Sequence, residues 1–156
     1  MLKTRIIPVL LLHENVLHKT VKYKNPVYVG DPINAIKIFN EKEVDELIIV
    51  DIDESKNNNE PNYKFIEDVA SECFMPLCYG GGVRTLKQAA KIFSIGVEKL
   101  VIENAGISDH KIIKEITETF GTQSVVGSIS VNKNIFGKHV VYNYVTNKNL
   151  KIDPIE

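Results

Sequence analysis

This chain has no excess of basic residues and no dense Lys/Arg cluster; 19 Lys and Arg against 20 Asp and Glu leave a formal net charge of −1. Nucleic acid is therefore set aside as a partner. Cysteine is scarce as well. Cys73 and Cys78 stand five apart with no CxxC spacing and no metal-ligand company, which reads as two reduced core thiols of a cytosolic protein. Nor is there a long hydrophobic run. The opening stretch through Leu12 pairs charged residues with an apolar segment, but Pro8, its shortness and the lack of a small-residue cleavage site make it a buried strand, not a signal peptide or membrane span. His13, His18, His110 and His139 share no spacing and have no acidic residue four positions on, so no metal site is expected and no cofactor is implied.

What remains is an ordinary globular composition, 44% hydrophobic and 25% charged over 156 residues, enough for one domain, 1–156, with a real core. The chain is organised around Pro76-Leu77-Cys78-Tyr79-Gly80-Gly81-Gly82-Val83-Arg84. It reads as a strand feeding a helix through three glycines. Three in succession cost backbone entropy and are tolerated where the chain needs positive φ or where a ligand touches main-chain N–H groups. Set before a helix, those groups form an anion nest.

Taken in order, residues 5–12 read as a first strand, apolar as strands covered on both faces are. Residues 16–23 read as a small β extension. Gly30-Asp31-Pro32 opens a helix over 33–43, with Asp31 at the N-cap, Pro32 at its first position and Ile33, Ile36, Ile38 and Phe39 turned inward. A second strand over 47–53 ends in acid at Asp51 and Asp53, and 55–61 is a mobile polar loop before a helix over 62–74. After the glycines come a helix over 85–94, a fourth strand over 99–102, a helix over 111–120 capped by Ser108-Asp109, a fifth strand over 124–130 and a peripheral hairpin over 136–145. The tail repeats the Asp-Pro opening at Asp153-Pro154.

Strands alternating with amphipathic helices imply βα units and a parallel sheet. Val44-Asp45-Glu46-Leu47-Ile48-Ile49 and Val97-Glu98-Lys99-Leu100-Val101-Ile102 match position for position, 53 residues apart. That echo suggests duplication within a barrel. A complete (β/α)8 barrel needs about 250 residues; the expectation is an α/β fold, an incomplete (β/α)8 TIM barrel of about five strands and four helices.

Arg5 in the opening stretch, the Gly30-Asp31-Pro32 turn, Asp45-Glu46-Leu47 leading to Asp51-Ile52, Tyr79 through Arg84, Gly96-Val97-Glu98-Lys99 and Phe120-Gly121-Thr122-Gln123 occur in order. As a set they resemble the cyclase (synthase) subunit of imidazole glycerol phosphate synthase, a barrel of the ribulose-phosphate-binding type, over its first five-eighths. Leu10-Leu11-Leu12, Lys22 through Pro26 and Ala70 through Leu77 are more similar to paralogues found in lipopolysaccharide sugar clusters. The resemblance implies histidine biosynthesis, or amidination of a nucleotide-linked sugar with ammonia from a glutaminase partner, in the cytoplasm.

The same resemblance implies the site residues. Its two aspartates for acid/base work fall on Leu11 and Ser130 here, neither of which takes up a proton near pH 7. Lys19, Asp51, Gly81, Gly82 and Asn104 match substrate- and phosphate-binding positions, Glu103 is a departure that would repel a phosphate, and Asp53 caps a loop. Arg5, Glu46 and Lys99 match charged residues that gate ammonia entry at the barrel bottom. The alternative is a truncated, inactive remnant that at most binds phosphate or a partner chain. An open section also leaves two unpaired strand edges, which favours a homo-oligomer.

Overall fold

The computed structural model describes residues 4–21 and 24–155; the first three residues of the chain, Lys22 and Tyr23 at the end of the expected β extension, and Glu156 lie outside them. The strands are β1 (Val9–His13), β2 (Val16–Val21), β3 (Lys24–Gly30), β4 (Leu47–Asp51), β5 (Leu77–Gly80), β6 (Lys99–Ile102), β7 (Val125–Gly127), β8 (Val131–Lys133), β9 (His139–Asn143) and β10 (Lys148–Asn149). The helices are α1 (Pro32–Glu41), α2 (Tyr63–Glu72), α3 (Leu86–Ile95), α4 (Asn104–Ser108) and α5 (Lys111–Phe120). One sheet runs β3-β2-β1-β4-β5-β6-β7, and β10-β9-β8 form a second, smaller one. Within the first, β1, β4, β5, β6 and β7 are parallel neighbours, while β2 and β3 fold back antiparallel as an arm. This is a partial (β/α) barrel, as expected.

The register assigns the two faces. Leu12, Leu47, Ile49, Tyr79 and Leu100 are nearly free of solvent and pack in one cluster with Ile36, Ile66, Val69, Ala89, Ile92, Ile112 and Ile116 of the helices. Successive strand residues alternate faces, so Leu11, Val50, Gly80, Val101 and Val126, which stand level with one another, share the opposite, inner face. The helices start where local chemistry stops them unravelling. Asp31 accepts from the Asn34 N–H at 3.0 Å with Pro32 in the first turn. At α3, Thr85 accepts from the Gln88 N–H while the Gln88 side chain accepts from the Thr85 N–H, a reciprocal capping box.

Several boundaries differ from expectation. Helix α1 ends at Glu41, and Ile38 is 55% exposed instead of inward, because two positions along a helix carry it to the side opposite the buried Ile36. The first ladder begins at Val9, although the Pro8 and Ile6 carbonyls already accept from the Ile48 and Asp45 N–H groups. Strand β4 stops at Asp51, whose carboxylate accepts from the Asp53 N–H at 2.9 Å and turns the chain. A short extra helix, α4, follows β6. Ser108 closes α4 instead of opening the next helix; α5 has His110 at its N-cap without a side-chain cap bond, and the Asp109 carboxylate accepts from the Lys111 N–H. The expected fifth strand is shortened to β7, since Glu103 holds the chain beyond it. The expected hairpin is the pair β8 and β9 with β10 added. At Asp153 the tail makes a bend in which the carboxylate accepts from the Ile155 N–H. None of the helices of the described residues is long and apolar enough to cross a membrane.

Thr85→Ala removes one half of the capping box at α3, and a loss of about 1 kcal/mol is expected in the urea unfolding free energy; an unchanged midpoint would show that the box contributes nothing beyond packing.

Candidate functional site

Strand β5 delivers Gly80 to the C-terminal end of the sheet, where parallel βα folds collect ligands. Gly81 has φ +133°, and a Cβ there would lie 2.7 Å from the Asp51 Cβ and carbonyl oxygen. Gly82 has φ +70° and sits against Glu54 and Asn59. Both glycines are therefore required by backbone conformation and by the close approach of the loop after β4. The Gly82 N–H donates to Ser55 Oγ at 3.1 Å. Arg84 donates to the Asn58 side-chain oxygen at 2.8 Å and to the Asn58 and Asn59 carbonyls at 3.2 and 2.7 Å. The polar run expected to be a mobile loop is thus clasped over the strand ends.

Two adjoining cavities result. The inner one, about 40 Å³, is lined by Asp51, Gly81, Gly82, Glu103, Asn104 and Tyr144 among others; it has room for a few waters, and its lining includes no lysine or arginine. The outer one, about 240 Å³, is lined by Ser55, Lys56, Asn58, Arg84, Asn104 and apolar neighbours, with no carboxylate. Acid and base are segregated across a shared wall. An anionic group is accommodated by charge and volume in the outer cavity, with the amide of Asn104 between the two.

The inner carboxylates have distinct states. Asp51 is 4% exposed, and burial pushes its pKa from 3.8 up to about 6, with Glu54 and Asp53 adding to the rise and the Asp53 and Glu54 N–H groups opposing it. Glu103 is engaged: it accepts from the Ser130 N–H at 2.8 Å and from the Ser128 hydroxyl at 3.3 Å. The residue expected to repel a phosphate is therefore the anchor of the segment after β7. Tyr144, just beyond β9, lines the inner cavity together with Ser55, and burial first, then Glu103 and Asp51, raise its phenol against the lowering effect of Ser55. Asn143 donates to Asn104 at 3.0 Å, so the small sheet is pinned over the mouth.

The structure thus brings Asp51, Gly81, Gly82 and Asn104 to one cavity. Lys19 does not join them: it is exposed on β2 opposite Val27, and lines neither cavity. Leu11 lies on the inner face and Ser130 is 6% exposed beside Glu103. At the other end of the sheet, Glu46 is 2% exposed and receives Arg5 at 2.7 Å and Lys99 at 2.6 and 2.7 Å. Cys78, fully buried between β4 and β6, has its thiol pushed up to about 12 by burial and by Glu46. Asp53 reaches back to the β1 end, its carboxylate 2.8 Å from His13 Nδ1 and accepting from the Glu14 N–H. No group of three or more His, Cys, Asp or Glu side chains able to hold a metal ion occurs among the described residues. Sequence reasoning missed Ser55, Tyr144 and the anchoring role of Glu103; the Ser-Tyr and Glu-Ser pairs are far apart in the chain and carry no local pattern.

The family described as Histidine biosynthesis protein matches residues 5–156. A protein of Pseudomonas aeruginosa, provisionally named imidazole glycerol phosphate synthase subunit hisF2, is 56% identical over all of this chain and 62% of its own length. A Vibrio vulnificus protein provisionally named subunit hisF3 is 50% identical over all of this chain and 60% of its own. The Petrotoga mobilis imidazole glycerol phosphate synthase subunit HisF is 31% identical, again over all of this chain and 62% of its own length. This chain spans about three-fifths of the length of these relatives.

Asp51 makes stability depend on pH in a defined sense. Its folded pKa is raised, so the folded chain holds the proton more tightly than the unfolded one; the contribution is full below pH 3.8 and is lost as pH rises through about 6. Asp51→Asn keeps an oxygen acceptor and stays neutral. Relative to the parent it is expected to gain about 2 kcal/mol in unfolding free energy between pH 4 and pH 8, as measured by urea titration at both values. An identical difference at the two pH values would rule the effect out.

Proposed function

Because the chain belongs to the family of histidine biosynthesis proteins, we propose that it is a synthase-type subunit, taking ammonia in at one end of the sheet and adding it to a phosphorylated or nucleotide-linked sugar at the other. The observation that carries this reading is the charged cluster in which buried Glu46 joins Arg5 and Lys99. Isolated rim charges are the usual fate of such residues; two cations converging on one buried carboxylate make a gate at the strand starts. The partner is a glutaminase subunit docking at that end. At the opposite end Asp51, Gly81, Gly82 and Asn104 receive the ligand, with its anionic group reaching Lys56 and Arg84 in the outer cavity. Lys19, exposed on the arm and outside both cavities, is left out of that set.

Leu11 and Ser130 carry no group that moves a proton near neutrality, which supports amidination of a sugar, of the lipopolysaccharide type, over the histidine-pathway ring closure. The two free thiols, Cys73 and Cys78, support a cytoplasmic setting. A second reading, a catalytically inactive binding protein, draws on the same two positions and on β3, an edge strand whose Val27, Tyr28 and Val29 are more than 60% exposed, an invitation to self-association.

The test is turnover with ammonium chloride at alkaline pH, with the histidine-pathway substrate and with a nucleotide-linked acetamido sugar supplied in parallel. Turnover of the sugar alone is expected. With a glutaminase subunit present, Glu46→Gln is expected to lower glutamine-dependent turnover about tenfold or more while leaving ammonia-dependent turnover within about twofold. Absence of turnover with both substrates, together with oligomers in light scattering, would decide for the inactive reading.

A further inference from the structure

Two imidazoles stand on the inner face at the C-terminal end of β1, where the proposed chemistry needs a proton carrier. Leu11 pairs with His18 and His13 with Val16 across the β1–β2 ladder, so His13 lies on the same face as Leu11, two positions further toward the mouth. His13 Nδ1 is 2.8 and 3.0 Å from the two oxygens of Asp53. A carboxylate accepts only, so Nδ1 carries the hydrogen and Nε2 is left with its lone pair. Asp53 is itself fixed, taking the Glu14 N–H at 2.8 Å. His18 packs its ring edge to face against His13 with centroids 5.0 Å apart and is followed by Tyr28 at 6.2 Å, which holds the His13 ring from the arm side. The His13 and Asp53 side chains are 29% and 22% exposed: covered enough to be oriented, open enough to meet a ligand.

A base with one nitrogen held by a carboxylate and the other free is the arrangement in which an imidazole takes and returns a proton. We infer that His13, oriented by Asp53 at the β1 end of the mouth and outside the lining of both cavities, is the proton-transfer group of the proposed reaction. The inference rests on the reading of the chain as an ammonia-adding synthase. When ammonia adds to a carbonyl carbon, the C–N bond forms and the nitrogen carries an extra proton. His13 Nε2 takes that proton, the imidazolium is stabilised through Nδ1–H by Asp53, and the proton passes to the alkoxide oxygen to give the neutral carbinolamine. The nitrogen then gives up a second proton, again through Nε2, to the carbinolamine hydroxyl, whose C–O bond breaks to release water and leave the imine. Carbonyl plus ammonia gives imine plus water, with no net oxidation and His13 restored. Asp53 is a positioning residue in this scheme, acting through His13.

The test uses the full chain and 5-nitrobenzisoxazole, a probe that opens to a coloured cyanophenolate when a base takes its ring proton and needs neither phosphate nor ammonia. The chain is expected to open it faster than free imidazole at equal concentration. His13→Ala should lose about tenfold or more of that rate, the lower side of what general-base catalysis contributes, and added imidazole should restore part of it. His139→Ala, at an exposed imidazole on β9, should keep the rate within about threefold. Asp53→Asn should lower kcat and leave KM unchanged, with Asp53→Glu recovering kcat. His13→Asn, which can still bond Asp53, serves as the folded control, with thermal unfolding matching the parent. A rate that survives His13→Ala, falls equally with His139→Ala, or is not rescued by imidazole overturns the inference. Loss of ammonia-dependent turnover in the parent with the probe reaction intact would instead count against the synthase reading alone.

Discussion

The carboxylate of Glu46 is the constraint on which the sheet turns. Burying an ion of that size costs several kcal/mol even after relaxation, and the attraction of a partner offsets this only when the geometry is close. Here two cations meet it, Arg5 from the segment before β1 and Lys99 from β6, both within 2.7 Å. Glu46 precedes β4, and Lys99 reaches it diagonally past β5, because Lys99 stands level with Cys78 and Cys78 with Ile48. One carboxylate therefore ties the starts of three strands. A one-residue slip of any of them would turn its apolar residues out of the helix-covered core and separate a buried charge from its partner, so packing and electrostatics select the same register.

The same register lines up the other ends of the strands. Asp51, Gly80 and Ile102 arrive together, and the loops that follow them divide charge by sign. The inner cavity keeps Asp51 and Glu103, while Lys56 and Arg84 border the outer one. Below about pH 6 Asp51 takes up a proton and sits beside an anionic ligand at lower cost than when ionised, while the Glu103 oxygens are engaged by Ser130 and Ser128. The glycines thus serve close packing of the β4 and β5 loops as much as anion binding: the Gly82 N–H is already given to Ser55, and a ligand reaching it must displace that hydroxyl.

What could be read from the chain follows the range of each interaction. The βα alternation, the Asp31 cap and the face carrying Ile36 are local periodicities and were legible. The convergence of Glu46 and Lys99 was implied by the family resemblance alone, since residues 53 positions apart share no local pattern. The exposure of Ile38 was not legible, because an apolar residue on a helix does not say which neighbour covers it. The extent of β7 depended on Glu103, 27 residues before Ser130, and the clasp of the polar loop on Arg84, 26 residues beyond Asn58. Tyr144 over the cavity depends on how a second sheet docks, which no periodicity encodes. Asp53 showed a similar limit. It was read as capping a loop, and it does, but the loop is the turn after β1, where the bond to His13 gives it a second consequence.

Between the two ends of the sheet, beyond Lys99, Ile48, Val50, Cys78, Val101 and Val126 make an apolar, partly exposed inner face. On the proposed reading such a face favours passage of neutral ammonia over ammonium, because an unpaired charge there sheds water without gaining a partner. On the proposed reading the cluster around Glu46 admits nitrogen at one end and only the uncharged form travels on. The nitrogen then becomes charged at the mouth, when it bonds to carbon. A base is needed at that point and nowhere earlier, and the imidazole held by Asp53 stands at that end of the face. Leu11 beside it continues the apolar lining, which makes its lack of a proton-carrying group consistent with moving the acid/base work two positions along the same strand.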